Sequence, residues 1–394
     1  MNIRNIVLLG STGSVGTQAI EVVEANPERF RIIALSAGSN LSLLAEQAVT
    51  LGVDAVALAA SPPGGVGEVR EAIAAAAGRL GTAVPQPEIL LGERAAADLA
   101  ATSCDMVLNA ITGSVGLEPT LAALARGTDV ALANKESLIV GGQLVLDAAQ
   151  RNGASLIPVD SEHSAIAQAL RSGSPEEVQR LVLTASGGPF RGYSAEQLAD
   201  VTPAQALVHP TWDMGRVITT NSATLVNKGL EVIEAHLLFG IPFERIDVVI
   251  HPQSQIHSMV QFVDGSTIAQ VSPPDMKLPI ALALGWPRRV PGSVTPNDWS
   301  SPANWTFEPV DDAAFPALQL ARKVGTAGAT FPAVFNAANE ECVEAFHQGR
   351  LSFVDIVRAT ADIVAEHVPD DELTLDGVLA AEKWARTQVG RRLR

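Results

Sequence analysis

Positive charge is scarce in this sequence. Lys and Arg together number 27 against 43 Asp and Glu, so the formal net charge is −16, and the sequence pI is near 4.8. Nucleic acids and anionic membrane surfaces are bound through clustered Lys and Arg. We therefore expect neither as a partner, and a phosphate on a small substrate must be met by a local site.

Cysteine and long apolar runs are scarce as well. The only cysteines, Cys104 and Cys342, lie far apart and show no metal-type spacing, which excludes zinc–thiolate chemistry and fits a reducing compartment. No apolar run reaches the roughly 20 residues of a membrane span, and residues 1–9 lack the features of a signal peptide. We expect a soluble cytoplasmic protein.

What is present first is an alternation of short apolar runs with Ala- and Leu-rich helical stretches. At 394 residues the chain should form two or three domains. The alternation predicts a parallel, doubly wound sheet in the N-terminal part. Its strands are predicted at Ile6–Leu9, Ile32–Leu35, Ala55–Leu58, Met106–Leu108, Val130–Leu132 and Leu156–Val159.

After about Pro158 the texture changes to Ser-, Gly- and Pro-rich segments mixed with apolar β-like runs at 181–183, 248–250 and 259–263. This indicates an α+β domain, followed by a Pro-rich linker and an almost wholly helical segment. The predicted fold class is α/β, with a Rossmann-like N-terminal domain, a central α+β domain and a helical C-terminal domain. The predicted boundaries are 1–159, 160–289 with a loop at 186–216, a linker at 290–312, and 313–394.

A glycine-rich loop, Gly10-Ser-Thr-Gly13-Ser-Val-Gly16, connects the first strand to a helix. In that context its amides can approach a dinucleotide pyrophosphate. Because the spacing lacks a central G-x-G, an ordinary glycine turn stays open as the alternative. The second strand leads into Gly38-Ser39-Asn40 without the carboxylate of NAD sites, which favours NADP, although no Arg is present for the 2′-phosphate. Thr112–Gly116 repeats the motif and could face the same dinucleotide.

Three carboxylates form a candidate metal site. Asp160 and Glu162 lie two residues apart at a strand end, and Glu231 lies one helical turn after Asn227. Oxygen ligands alone suit Mg²⁺ or Mn²⁺. Two alternatives remain open: the first two acids as helix caps, and Lys228 with Glu231 as an ordinary surface pair.

Hydrogen-bond donors suited to a phosphate stand around these acids. Taken singly, each is more often structural, and His209, Trp212 and Met214 are by default loop or core residues. The loop from Ser186 to Gly215 carries an aromatic residue and predicts a lid. The candidate phosphate donors are Ser186, His209, Ser222, Asn227 and Lys228.

Taken together, the motifs resemble those of the 1-deoxy-D-xylulose 5-phosphate reductoisomerase family. They run in order along most of the chain: the glycine loop, Asn134-Lys135-Glu136, Asp160-Ser161-Glu162-His163, Ser186-Gly-Gly-Pro-Phe, His209-Pro-Thr-Trp212-Asp-Met214-Gly215, Asn227-Lys228-Gly-Leu-Glu231, His251 to His257, Pro274-Asp-Met276 and Asn336-Ala-Ala-Asn-Glu340.

The resemblance implies a V-shaped homodimer with an NADPH-binding domain, a central catalytic and dimerisation domain with a flexible lid, and a helical C-terminal domain. It implies Mg²⁺ or Mn²⁺ as the metal and a phosphorylated sugar as the substrate. The implied reaction is isomerisation of 1-deoxy-D-xylulose 5-phosphate, then NADPH reduction to 2-C-methyl-D-erythritol 4-phosphate, in the methylerythritol phosphate route to isoprenoids.

The resemblance also implies residue roles. Asp160, Glu162 and Glu231 would hold the metal. Ser161 and Lys135 would bind the polar end of the substrate, and Ser186, Ser222, Asn227 and Lys228, with His209, its phosphate. Trp212 and Met214 would cover the substrate. NADPH would contact Thr12, Gly13, Ser14, Val15, Gly38, Ser39, Asn40, Asn134, Glu136 and Gly215.

Two departures from the family pattern concern the cofactor. The family frequently has Lys at the positions that carry Ser39 and Val217 in this chain. Two competing hypotheses remain, a plain NADP-dependent dehydrogenase of a metal-chelating hydroxy acid and a non-catalytic dinucleotide sensor. Only the reductoisomerase needs both a carboxylate triad and a phosphate cluster.

Overall fold

The computed structural model describes residues 3–212 and 215–393. These residues form two compact units, the first made of 1–137, 145–160 and 276–294 and the second of 138–144, 161–275 and 295–394. The predicted Met214 contact lies outside the described residues. No helix of the described chain is both long and apolar enough to span a membrane.

The strands include all those predicted from the apolar runs, together with β4, β11 and β12, which the sequence analysis missed. Their bounds are β1 Arg4–Leu9, β2 Phe30–Ala37, β3 Ala55–Leu58, β4 Glu88–Leu91, β5 Met106–Asn109, β6 Asp129–Leu132, β7 Leu156–Pro158, β8 Val178–Ala185, β9 Ile246–Ile250, β10 Ile256–Phe262, β11 Thr267–Val271 and β12 Glu308–Pro309.

Helices connect these strands and form most of the C-terminal part. Their bounds are α1 Ser14–Glu24, α2 Leu41–Leu51, α3 Gly65–Leu80, α4 Ala95–Ala100, α5 Leu117–Ala125, α6 Lys135–Gly141, α7 Gln143–Asn152, α8 Ser161–Ala169, α9 Ala195–Leu198, α10 Pro203–Ala206, α11 Arg216–Ala223, α12 Val226–Phe239, α13 Lys277–Gly285, α14 Ala317–Ala327, α15 Phe331–His347, α16 Phe353–Glu366 and α17 Leu375–Arg392.

The first unit is built on a seven-stranded sheet in the order β4-β3-β2-β1-β5-β6-β7. Every pairing in it is parallel. Strands β3 and β5 are buried along their whole length, because helices cover both faces of such a sheet. The strand order reverses beside β1, so the loops after β1 and β5 emerge side by side where dinucleotides bind in doubly wound folds.

The second unit contains a mixed five-stranded sheet in the order β11-β10-β8-β9-β12. Strands β8 and β9 are parallel and the other pairings are antiparallel. One apolar core joins this sheet to α12 and to the C-terminal helices, with Leu181, Val232, Phe335 and Phe346 nearly or fully buried in it. The predicted α/β fold class, with a second sheet domain and a helical C-terminal region, is therefore confirmed.

Candidate functional site

The glycine-rich loop 10–16 of the first unit follows β1, and its first residue has a conformation that favours glycine. Gly10 has φ +76°, and a Cβ there would lie 2.6 Å from the main-chain oxygen of Ala110, which follows β5. A Cβ on Gly16 would overlap the backbone of Ser11. Gly13 is the N-cap of α1 and has no side chain to cap the helix, and the first turn of α1 carries no acidic residue. The helix amides are thus open to an anion.

Two residues that the sequence analysis missed hold this loop in place. The Ser36 hydroxyl accepts from the Gly10 amide at 3.1 Å. Gln47 of α2 accepts from the Ser11 hydroxyl at 2.7 Å and donates to the Ser11 main-chain oxygen at 2.9 Å. The sequence signal for this role is Gln47 itself, a polar residue on the buried face of α2, which otherwise carries apolar residues such as Leu44 and Ala48.

The remaining predicted cofactor residues of the first unit surround the same sheet edge. Thr12 and Val15 are half-buried, and Gly38, Ser39 and Asn40 are exposed, with Asn40 also capping α2 through the amide of Leu43.

Asn134 is buried and holds the repeated glycine loop. Its amide donates to the main-chain oxygens of Ile111 and Gly113 and, at 3.3 Å, to Glu136 Oε2. Asn134 therefore shapes the loop after β5 with its side chain.

Lys135 and Asp160 form an ion pair at the end of the first unit. Lys135 Nζ lies 2.5 Å from Asp160 Oδ2, and the side chains are only 12% and 15% exposed. Asp160 is the last residue before α8, so the covalent chain keeps its carboxylate two residues from Glu162. A partly buried carboxylate needs such a cation, or a metal, to offset its lost hydration.

The second unit brings two further predicted carboxylates together from helices distant in sequence. Lys228 Nζ donates to Glu162 Oε1 of α8 at 2.6 Å and also bonds Glu231 on its own helix. Ser161 donates to the other oxygen of Glu162 at 2.5 Å, and Asn227 donates to Glu231. Lys228 is 4% exposed and Glu231 1%, so the alternative of a surface pair is wrong.

Within this cluster the two carboxylates stabilise the charged form of Lys228. Burial by itself lowers the pKa of Lys228, but the negative charges of Glu162 and Glu231 and their hydrogen bonds outweigh it, so that the net pKa is raised. Lys228 therefore stays an ammonium across the physiological range. One cation held between two carboxylates leaves a net negative, oxygen-lined cluster.

Behind the cluster lie His163 and Glu234, to which the sequence analysis gave no role. Both side chains are fully buried, with His163 Nδ1 3.2 Å from Glu234 Oε2. The other ring nitrogen lies 2.8 Å from the main-chain oxygen of Glu231. This histidine therefore braces α8 against α12, and the signal for it was its position directly after Glu162.

A second polar cluster in this unit joins Ser186, His209 and Ser222. His209 Nε2 lies 3.2 Å from Ser186 Oγ and 3.0 Å from Ser222 Oγ. His209 Nδ1 accepts from the amides of Thr211 and Trp212 at 3.1 and 2.8 Å. The proton therefore sits on Nε2, facing the two hydroxyls.

At this cluster the backbone of Gly188 lies close to that of Ser222, and His209 is neutral. Gly188 has φ +63°, and a Cβ there would lie 2.9 Å from the Ser222 main-chain oxygen. Burial lowers the pKa of His209. The result is a compact group of neutral donors suited to an oxyanion.

The other predicted residues of this unit lie beside these clusters. Trp212 is half-buried, its ring 6.5 Å from that of His257. The pKa of His257 is lowered by burial, against the opposing charge of Glu162. Gly215 is the N-cap of α11, and Val217 packs against the core.

Fold and site together fit the class of dinucleotide-binding enzymes, with an oxygen-rich cluster suited to a cation. Models of "1-deoxy-D-xylulose 5-phosphate reductoisomerase" and its C-terminal domain match residues 6–142 and 156–239, and a model of the "DXP reductoisomerase C-terminal domain" matches 271–388. A 1-deoxy-D-xylulose 5-phosphate reductoisomerase of Paenarthrobacter aurescens is 62% identical, covering 100% of this chain and 99% of its own. The chain belongs to the 1-deoxy-D-xylulose 5-phosphate reductoisomerase family.

Solved structures agree with this assignment. The reductoisomerase of Zymomonas mobilis in complex with NADPH is 39% identical, covers 100% of both chains and superposes with a TM-score of 0.91. A DOX-P reductoisomerase in complex with NADPH, fosmidomycin and magnesium is 34% identical, covering 99% of this chain and 98% of its own, with a TM-score of 0.88.

Proposed function

We propose that this chain carries out the NADPH- and divalent-metal-dependent isomerisation and reduction of 1-deoxy-D-xylulose 5-phosphate to 2-C-methyl-D-erythritol 4-phosphate. The product belongs to the methylerythritol phosphate route of isoprenoid biosynthesis. The observation that carries the proposal is the presence of two different polar clusters in the second unit, one of carboxylates and one of neutral donors. A metal-chelating, phosphorylated sugar needs both.

The first unit fits NADPH at its glycine loop. Gly10, Gly13 and Gly16 leave the backbone bare where a pyrophosphate would meet the N-terminus of α1, and Thr12, Ser14 and Val15 would border it. Gly38, Ser39 and Asn40 at the end of β2 would meet the adenosine ribose, and Asn134, Glu136 and Gly215 the nicotinamide end. When bound, NADPH supplies the hydride for the reduction.

The carboxylates fit a hard divalent cation. Glu162 and Glu231 present oxygens that already share one cation, the Lys228 ammonium, and Asp160 follows from the adjoining strand end. An all-oxygen donor set is what Mg²⁺ and Mn²⁺ prefer. We propose Asp160, Glu162 and Glu231 as the ligands, and the metal would supply Lewis-acid polarisation of the substrate's carbonyl and hydroxyl oxygens.

The chain's own residues would bind and orient the substrate. Ser186, His209 and Ser222 would hold its phosphate with hydroxyl and Nε2–H donors, joined by Asn227 and the Lys228 ammonium, whose pKa is raised. Lys135 and Ser161 would hydrogen-bond its polar end. Anchoring a phosphate away from the reacting carbons contributes orientation, because its binding energy fixes the remaining atoms. Trp212 and Met214 would cover the substrate and exclude water.

The decisive experiment follows NADPH absorbance with deoxyxylulose phosphate and Mn²⁺. We expect oxidation of NADPH that depends on both substrate and metal. We expect Glu231→Gln to lower kcat by more than about 100-fold while NADPH binding persists, since the lost charge lies at the metal. The matched control is Glu244→Gln, which makes the same charge change at an exposed position.

Two results would count against this proposal. Near-normal turnover of Glu231→Gln would show that Glu231 is not a metal ligand. Absence of NADPH oxidation with any divalent metal would show that the proposed reaction is wrong. Oxidation of a hydroxy acid with NADP⁺, without activity on deoxyxylulose phosphate, would favour the plain dehydrogenase instead.

The finer organisation is also a proposal. We propose the functional segments 1–159 for NADPH, 160–289 for catalysis and dimerisation with a lid at 186–216, 290–312 as linker and 313–394 as a supporting helical domain. We further propose that the protein is a cytoplasmic homodimer. We also propose that it binds neither nucleic acid nor membrane, because its net charge of −16 disfavours both. Light scattering of the purified chain tests the dimer.

A further inference from the structure

The segment Asn336-Ala-Ala-Asn339-Glu340 on α15 lies outside both polar clusters, and its members face two directions. Asn336 donates to Glu340 at 3.0 Å, and Glu340 accepts from Arg386 of α17 at 2.6 Å. Asn339 lies three residues after Asn336 and instead contacts α11: its amide donates to Asn221 Oδ1 at 2.8 Å. The segment therefore ties α15 to α17 on one side and to α11 on the other.

The Asn339–Asn221 contact is costly as packing. The two residues are 0% and 5% exposed, and Asn339 Oδ1 is buried with no hydrogen-bond partner among residues 3–212 and 215–393. An unsatisfied buried polar atom is unfavourable, whereas apolar side chains of the same size at both positions would leave no unpaired polar atom there. A buried amide pair of this kind fixes one relative arrangement of α11 and α15, which explains its presence there.

That arrangement bears directly on the neutral-donor cluster. Asn221 immediately precedes Ser222, whose hydroxyl lies 3.0 Å from His209 Nε2. Successive helical residues point about 100° apart, so fixing Asn221 against α15 fixes the direction of Ser222. Two further polar links join these helices: Arg216–Glu344, which is largely exposed, and Thr220–His347 at 2.8 Å. Exposed ion pairs hold a helix only weakly.

We propose that Asn339 is a positioning residue for the substrate's phosphate: through Asn221 it sets the rotation of α11 and so holds the Ser222 hydroxyl in place. The inference rests on the proposed function, because it takes Ser222 as a phosphate donor. Asn339 itself touches no substrate. Its loss therefore acts on phosphate binding and leaves the cofactor loop, which lies in the other unit, unchanged.

The test is Asn339→Leu, which removes the hydrogen bond to Asn221 and the unpaired Asn339 oxygen at similar volume. We expect KM for deoxyxylulose phosphate to rise about tenfold, the loss of roughly one charge-assisted hydrogen bond. Affinity for inorganic phosphate, measured by calorimetry, should fall in parallel. NADPH affinity should fall much less than phosphate affinity, because most of the proposed cofactor residues lie in the first unit. Tm should fall by only a few degrees, since the Asn221 side-chain oxygen loses its donor. A merely structural role would lower Tm and leave KM and phosphate affinity unchanged, which would overturn the proposal.

Three further variants complete the design. Glu344→Gln breaks the exposed link between the same helices and should leave KM within about twofold. The double variant Asn221→Leu with Asn339→Leu should be no worse than either single variant, because the two residues act as one pair. If Asn339→Leu does not fold, Asn221→Leu makes the same test from α11, and an unchanged KM there overturns the proposal.

Ser222→Ala separates this inference from the proposed function. A raised KM in Ser222→Ala with normal KM in Asn339→Leu would overturn only the positioning role. Normal KM in Ser222→Ala would remove Ser222 from the phosphate site, and the positioning role with it. A raised KM in both variants is the expected result.

Discussion

At the scale of single residues, the site depends on positions where a side chain is excluded as much as on those that carry one. Gly10 has both a left-handed backbone and a main-chain oxygen 2.6 Å from where a Cβ would stand, whereas Gly52, at the end of α2, has φ +60° and nothing within 4 Å of that point. The two glycines separate backbone strain from steric exclusion. Strain alone costs about 1–2 kcal/mol in an L-residue.

We therefore predict different outcomes for Gly10→Ala and Gly52→Ala. Gly52→Ala should cost about 1 kcal/mol of unfolding free energy. Gly10→Ala should cost about 3 kcal/mol or more, because the loop must also move away from Ala110, and it should abolish NADPH binding. Urea unfolding and NADPH fluorescence measure the two effects. Equal destabilisation of the two variants would show that the contact with Ala110 carries no energy.

At the scale of elements, α11 matters because it carries Ser222 and packs against α15. Thr220 of α11 donates its hydroxyl to the Arg216 main-chain oxygen at 2.9 Å, so it accepts from His347 Nε2–H at 2.8 Å. The pKa of His347 is lowered, first by burial and then by the charge of Arg216, against an opposing effect of Glu344. Burial and the neighbouring Arg216 therefore favour the neutral form of His347.

This gives a prediction for the pH dependence of stability. Because the folded pKa of His347 lies below its unfolded value, the unfolded chain binds more protons as pH falls through about 6.5, and folding stability is lost. Wild type should therefore lose more unfolding free energy than His347→Gln between pH 7.5 and 5.5. The other histidines titrate in both proteins and cancel. Parallel losses in urea titrations at the two pH values would contradict the prediction.

At the scale of the whole molecule, the chain builds two separate apolar cores. One surrounds the parallel sheet of the first unit, with Ile6, Leu8 and Leu35 nearly or fully buried. The other joins the mixed sheet of the second unit to the C-terminal helices. The proposed NADPH loop and the proposed phosphate cluster thus rest on different cores.

A ligand that binds only the folded protein raises the free energy of unfolding, by about 2.7 kcal/mol when the free ligand concentration is 100 times its Kd. We predict that NADPH slows amide hydrogen exchange most strongly at residues 10–16 and 38–43. A phosphonate that carries a hydroxamate, added with Mg²⁺, should instead slow exchange mainly at 161–166 and 222–231. If NADPH protected the second set and not the first, the assignment of the glycine loop would be wrong.

Much of this protein follows from local sequence. The strands β1 to β3 and β5 to β7 each contain a short apolar run, and the glycine loop is a backbone requirement set by a few adjacent residues. The missed strand β4, Glu88–Leu91, is short and lies partly exposed at the edge of its sheet. The motifs also supplied the types of donor that a divalent metal and a phosphate require.

Tertiary structure alone decided which of these donors meet and what stands behind them. Glu162 and Lys228 are 66 residues apart, and their contact depends on how α8 and α12 rotate and pack, which no local pattern encodes. The same holds for Gln47 behind the glycine loop, His163 behind Glu231 and Asn339 behind Ser222. Sequence determined the chemistry available, because residue type and backbone preference are local. The fold determined its arrangement, because burial and long-range packing are not.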